Sequence, residues 1–297
     1  MRFFNVKQIF EKLSWLPYEF KYRAKKNIQK TITLDLSKIG IPEVFYFDTV
    51  GDDQGLSKQL DLFRFREPLN WREYYKFINE RDVVLDIGGN IGMFALLSSK
   101  AKKVHSIEPI KTAIDKFNRN IKQNGLTKKI NVTFGAVGHK GKLFLKVGTH
   151  LNMSHIVNEK SENTVEVPSN SLHYFVNKFN TNLVRMDLEG YEYEVLYKKI
   201  PLEINKIALE YHFNILGREK TKKLMGYFEE ENFIVESLIE DLPLRLYPFY
   251  SILKFTGLIK FFTYVKKRIS PLDACELIFK GRGIKYLLLK RKIQETS

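Results

Sequence analysis

The side chains best equipped for chemistry are acidic, and they stand at the ends of apolar runs. Leu183-Val184-Arg185-Met186-Asp187-Leu188-Glu189-Gly190-Tyr191-Glu192 ends a strand pattern on Asp187 and sets Asp187, Glu189 and Glu192 within six residues. Such a set can bind a metal, serve as acid and base, or cap the helix that Gly190 introduces, whose dipole favours negative charge. Ala208-Leu209-Glu210-Tyr211-His212 has a similar form. Glu210 and His212 are two apart, so both point to one side of an extended chain. Histidine is the side chain best suited to take a hydroxyl proton near neutral pH, although a lone histidine can equally be structural.

A third stretch supplies the binding chemistry. Val83-Val84-Leu85-Asp86-Ile87 reads as a strand buried on both faces. Gly88-Gly89-Asn90-Ile91-Gly92 then punctuates it, and Met93-Phe94-Ala95-Leu96-Leu97 opens an apolar helix. Strand, glycine turn and helix form the first unit of a nucleotide-binding α/β fold. Gly88 and Gly92 are expected to remove side chains where backbone approaches a ligand. The spacing Asp86-x-Gly88-x-Asn90-x-Gly92 places a carboxylate at the strand end, where it would repel a dinucleotide's phosphates. It suits instead the cationic amino group of S-adenosylmethionine (SAM). Glu108, closing His105-Ser106-Ile107-Glu108-Pro109, suits a ribose with two free hydroxyls. The bland alternative is a βαβ unit whose glycines only permit tight packing.

These stretches need a frame. From residue 82 the pattern alternates: strand 83–87, helix 91–99, strand 103–107, helix 110–123, strand 130–135 and a hairpin strand 141–146. A polar loop over 148–163 leads to a short strand 164–167, and Pro168 with Ser169 or Asn170 opens a helix through 178. Strand 183–187, helix 190–199, strand 206–210, helix 218–231 and strand 233–238 complete it. Alternation of this kind predicts a Rossmann-like α/β domain: a mostly parallel central sheet, helices on both faces, and ligands at the carboxyl ends of the strands. By that rule Asp187 and Glu189 face the same crevice as Gly88 and Glu108. The domain is expected over 67–240. Ahead of it lies an extension over 1–66, with a helix at 3–16 and two strands at 31–36 and 44–47; the domain itself opens with a helix at 71–78 leading into the first central strand. A C-terminal extension over 241–297 follows, helical through its aromatic run at 246–265 and at 285–289.

The motifs together resemble the FkbM family of class I SAM-dependent methyltransferases. The matching residues are Asp86 to Gly92, Glu108-Pro109, Ala136-Val137-Gly138, Met153-Ser154, Arg185-Met186-Asp187-Leu188-Glu189-Gly190-Tyr191-Glu192 and Glu210-Tyr211-His212. Gly89 stands where the family usually has alanine, and Arg185 where it usually has lysine. The resemblance implies methyl transfer from SAM to an oxygen, most often a hydroxyl on a sugar or natural product. It maps SAM contacts to Asp86, Gly88, Gly89, Asn90, Gly92 and Glu108, with Ala136 beside the adenine. It maps the acceptor side to Asp187, Glu189 and His212; no metal ligands are assigned. The expected acceptor is a sugar hydroxyl of a glycan or glycolipid. An RNA ribose methyltransferase and a non-catalytic α/β module are the competing readings.

Composition bounds the rest. The chain has 297 residues, 44% hydrophobic and 28% charged, with one cysteine, Cys275, so no intramolecular disulfide can form and a reducing, cytoplasmic setting fits. Lysines interrupt each apolar run of the first 30 residues, so no cleavable signal peptide is expected. The net charge of +15 sits at the ends: eight Lys or Arg against two Glu in residues 1–30, and twelve against four acids in 241–297. The intervening core is nearly neutral. Nucleic acid is therefore the less favoured partner; the basic ends suit docking to an anionic membrane surface, with packing of their helices on the domain or on a dimer partner as the alternative, favoured for 246–265, and with oligomerisation open. The run at 246–265 contains Lys254 and Lys260, too costly mid-bilayer for a transmembrane helix.

Overall fold

The computed structural model describes residues 30–49, 56–146, 155–157, 160–280 and 285–292. The helix expected at 3–16, the basic cluster at 21–26 and Met153-Ser154 lie outside them.

Hydrophobic periodicity builds the frame. Val83–Ile87 (β3), Lys103–Glu108 (β4), Ile130–Phe134 (β5), Leu183–Met186 (β10) and Lys206–Glu210 (β11) pair in parallel in the order β5-β4-β3-β10-β11. All but the edge strand β5 carry apolar side chains on both faces, because helices cover both. One face packs Val84, Val104, Leu183 and Ala208 under Pro68–Phe77 (α2), Met93–Leu97 (α3) and Lys111–Gln123 (α4). The other packs Leu85, Ile107, Val184 and Ile207 against Leu172–Phe179 (α5), Glu192–Leu196 (α6), Phe213–Glu230 (α7) and Pro271–Phe279 (α9).

The expected α/β class is what the chain forms, but its C-terminal part is not a helical appendage. Tyr286–Arg291 is a strand, β14, inserted antiparallel between β11 and Phe233–Glu240 (β12). The helix expected at 285–289 fails because successive residues face opposite layers: Tyr286 and Leu288 enter one core, Leu287 and Leu289 the other. A period of two, buried on both sides, looks like a continuous apolar run in sequence. The sheet therefore does not end at residue 240. Nor is 246–265 one helix. A 3₁₀ turn at Leu244–Phe249, the short helix Tyr250–Phe255 (α8), a second 3₁₀ turn at Leu258–Phe261 and the edge strand Tyr264–Lys266 (β13) divide it, broken at Pro248 and Gly257 (φ 74°). Among the described residues no helix is long and apolar enough to cross a membrane.

Four smaller differences concern the flanks. Thr164–Asn170 (β9) runs through Pro168, and the next helix is capped by Ser171, whose Oγ accepts from the Tyr174 amide at 3.2 Å. With Ala136–Val137 (β6), Gly141–Lys146 (β7) and His155–Val157 (β8) it forms a second sheet, so the hairpin strand has partners far along the chain. Leu56–Phe63 (α1) is a helix not expected from the sequence, and α7 begins at Phe213, five residues before the helix expected there, with a non-helical break at Gly217. The strands Thr31–Asp35 (β1) and Val44–Asp48 (β2) pair as an antiparallel hairpin.

Candidate active site

Because β3, β4, β10 and β11 are parallel, Asp86, Glu108, Asp187 and Glu210 come to one edge of the sheet. Two adjoining clefts open there. The first, about 680 Å³, has apolar walls of Ile87, Ile107, Ile110, Ala136 and Val137, with Glu108 on its lining. The second, about 570 Å³, is lined by Arg66, Glu67, Trp71, Met93, Phe94, Arg185 and Glu210. Gly88, Asn90, Asp187 and Glu189 line both.

The glycine turn is built differently from the expectation. Gly88 has φ +78°, and a Cβ there would lie 2.2 Å from the Asp187 carbonyl oxygen. The close approach it permits is thus of two backbone segments, β3 and β10, and a ligand is not needed to explain it. At Gly89 a Cβ would meet Ser106 Oγ at 2.0 Å and the Phe117 ring at 2.8 Å, which accounts for glycine in place of alanine. Gly92 is likewise hemmed in by Phe117. Asn90 (φ 51°) turns its amide onto Glu108 Oε2 at 2.7 Å.

Asp86 is wholly buried and lies on neither cleft's lining, so the expected direct grip on the donor's ammonium group gives way to an internal role. It stands opposite Arg185 across the β3–β10 pair. Arg185 Nη1 lies 3.3 Å from Asp86 Oδ1 and donates to the Gly88 carbonyl at 3.0 Å, while Nη2 donates to Asp187 Oδ2 at 3.1 Å. The guanidinium rests on the Phe94 ring, 3.9 Å from its centroid. Ser106 Oγ donates to the other Asp86 oxygen at 3.0 Å. A lysine ammonium has no planar fork with which to reach three groups in this way. Asp86 thus anchors the guanidinium that holds both the turn and the catalytic candidate in place.

Glu108 fits a ribose. Its two oxygens each accept one backbone N–H, from Asn90 and from Ile110 at 2.9 Å, and each keeps a further lone pair. Burial pushes its carboxyl up to about 7, against the pull of those amides. With the apolar slot that includes Ala136 beside it, the set suits a nucleoside carrying two hydroxyls. SAM therefore fits the first cleft.

Around Asp187 the acids converge on one histidine. Glu192 is wholly buried, and its Oε1 lies 2.7 Å from His212 Nδ1 while accepting from the Leu188 and Gly190 amides at 3.2 Å. It both caps the turn and orients the ring. His212 Nε2 lies 3.3 Å from Glu189 Oε2 and 4.0 Å from Asp187 Oδ1. Burial would lower the imidazole's pKa, but Glu192's hydrogen bond and charge, with Asp187 and Glu210, raise it to about 9. That direction favours the charged ring, oriented by Glu192, over the resting base that the sequence suggested. Burial raises Glu189, whose φ of +49° sits in the left-handed region, and Asp187 adds to the rise. Burial also holds Glu210 well above the usual carboxylate range. Asp187 Oδ1 is buried without a hydrogen-bond partner. One ligand atom from each of Asp187, Glu210 and His212 lies within 4.8 Å of the others, a spacing that a divalent cation can span.

Sequence reasoning missed the wall formed by Arg66, Glu67 and Trp71. The available signal was Arg64-Phe65-Arg66-Glu67-Pro68, charges set between an aromatic and a helix-opening proline.

The model of the methyltransferase FkbM domain matches residues 86–235, half of the chain. No curated protein matches. Among solved structures, the tRNA m1G37 methyltransferase of M. jannaschii is 15% identical with a TM-score of 0.43, over 91% of this chain and 59% of that one. A protein of the NADB-Rossmann superfamily from Streptococcus agalactiae is 12% identical, with a TM-score of 0.40, over 77% and 70%. TrmK of M. capricolum, in complex with S-adenosyl-homocysteine, is 15% identical, with a TM-score of 0.36, over 57% and 59%. The chain thus spans less than two thirds of the length of the first of these.

Proposed function

The chain belongs to the FkbM family of SAM-dependent methyltransferases, and from that premise we propose that it methylates a hydroxyl oxygen of a sugar, on a glycan or glycolipid. The observation that carries this reading is the partition between the clefts: Asp187 and Glu189 line both, so a donor in the first and an acceptor in the second meet over them.

SAM supplies a methyl group on a sulfonium, and transfer needs an aligned, deprotonated oxygen more than any covalent help from the protein. Glu108 and the Ala136 wall hold the nucleoside. Asp187 Oδ2 is fixed by Arg185, which leaves Oδ1, unpartnered and dry, to take the hydroxyl proton. His212, charged and oriented by Glu192, balances the negative charge of Asp187 and Glu189.

The acceptor cleft supports a neutral, hydroxyl-rich ligand. Glu67, Asp187, Glu189 and Glu210 offer acceptors for hydroxyls, and Trp71 and Phe94 offer apolar faces. Arg66 and Arg185 on the same lining already pair with Glu67, Asp86 and Asp187, which leaves them poorly placed to take a phosphate backbone and sets RNA behind a sugar. The test is incubation with isotope-labelled SAM and candidate glycans, followed by mass spectrometry. Label on a sugar oxygen is expected. Label on a base nitrogen of RNA, or no SAM binding by calorimetry, overturns the reading.

A further inference from the structure

The stretch 242–272 contains Arg245, Lys254, Lys260, Lys266, Lys267 and Arg268 and no acidic residue, a net charge of +6. Within it, α8 and the following 3₁₀ turn present Ile252, Phe255, Leu258 and Phe261 at a spacing of three. They are 61%, 93%, 46% and 73% exposed. The opposite side is firmly seated, with Tyr250 and Leu253 buried in the core. The exposed stripe is thus carried on a rigid base. Scattered apolar residues on a surface are ordinary, but four exposed within ten residues of an acid-free segment are not.

We propose that this stripe is a docking face for an anionic lipid bilayer, with the aromatics entering the interface and the flanking cations meeting the headgroups. Charge decides the occupant. Lys267 and Arg268 already pair with Glu73 (2.7 Å) and Glu236 (3.7 Å), but a water-soluble partner or a second copy would still have to cover the apolar residues while neutralising Arg245, Lys254, Lys260 and Lys266, and this chain is itself +15. An anionic surface does both at once: apolar tips insert, and each nearby lysine contributes to attraction.

The place of the stripe gives the docking a purpose. β12 runs in the same direction as β11, since both are antiparallel to β14, so the chain leaves β12 at the carboxyl edge where the clefts open. α8 then packs on the loop that walls the acceptor cleft. The Phe65 and Tyr250 rings are 5.0 Å apart, and Tyr247 Oη accepts from the Glu67 amide at 2.7 Å. Docking sets that wall close to the headgroups, which favours a lipid-borne acceptor; this last step rests on the sugar reading above, whereas the docking does not.

The test is flotation of the full-length protein with vesicles of phosphatidylcholine alone and of equal parts phosphatidylcholine and phosphatidylglycerol. Binding to the anionic vesicles, weakened by salt, is expected. Phe255→Ser with Phe261→Ser should weaken it at least about ten-fold, and Lys260→Glu or Lys266→Glu by about five-fold or more each. SAM binding by calorimetry should be unchanged in all of them, because none of these residues lines a cleft. No binding to either vesicle overturns the proposal, as does wild-type binding by the double phenylalanine variant. A dimer in solution that only this variant dissolves also overturns it and assigns the stripe to a second copy. Failure of sugar methylation with binding intact would count against the acceptor alone.

Discussion

His212 Nδ1 lies 2.7 Å from Oε1 of a Glu192 that no solvent reaches. That pair holds the ring positive. Glu192→Gln keeps the shape and removes the charge, so His212 should titrate at least one unit lower, a change of about 1.4 kcal/mol between its two states. An NMR titration of the ring protons reads it directly. A histidine raised from 6.5 to about 9 contributes stability that is full below 6.5 and lost as pH rises through 9. The variant should lose that slope. A midpoint still near 9 would mean that Glu192 is not the cause.

Asp187→Asn should lower turnover about a hundred- to ten-thousand-fold, the range of a lost general base. SAM affinity should stay within a few-fold, since the nucleoside contacts lie on Glu108 and the Ala136 wall. Single-turnover kinetics and calorimetry separate the two effects. Persistent turnover would move the proton acceptor elsewhere.

Glu108 makes donor binding pH-dependent. With its carboxyl pushed up to about 7, acidification protonates it and removes acceptor capacity for the ribose hydroxyls. The dissociation constant for SAM should rise towards ten-fold per pH unit below 7. Glu108→Gln should bind weakly and flatly across the same range. The sign for folding is opposite: this carboxyl's contribution is full below 4.5 and lost as pH rises through 7.

Gly89→Ala should destabilise the fold by about 1–3 kcal/mol, as overpacking does, because its Cβ meets Ser106 Oγ and Phe117. Denaturant midpoints report the loss. Adding Ser106→Gly should restore part of it. The rescue stays incomplete because Phe117 remains.

A chain ended at residue 284 should not fold. It loses β14, whose Leu287, Leu288 and Leu289 are buried at the centre of the sheet. At about 1.5–3 kcal/mol for each leucine, that approaches the whole 5–15 kcal/mol stability of a typical domain. Circular dichroism with thermal melting would show no cooperative transition. A cooperative melt would return these residues to the status of an extension.

The α/β class and the first half of the sheet were legible because local pattern encodes them: a five-residue apolar run, a glycine turn and a helical period can be read without knowing any neighbour. β3 and β11 match their expected spans residue for residue. The strand-end rule brought Glu108, Asp187 and Glu189 to one crevice for the same reason, since a parallel sheet aligns its carboxyl ends. β14 was illegible because a doubly buried strand and a short apolar helix read alike, and only the gap between β11 and β12 selects the strand.

Sequence alone settled which residue types stand at the strand tips and which family they belong to, because both follow from order along one chain. Tertiary structure alone decided what those residues do. It turned Asp86 inward onto Arg185, made Gly88 a passage for the Asp187 backbone, and charged His212 through a buried Glu192. Each depends on burial and on charges brought from distant segments to within a few ångströms, where they outweigh the side chain's own tendency.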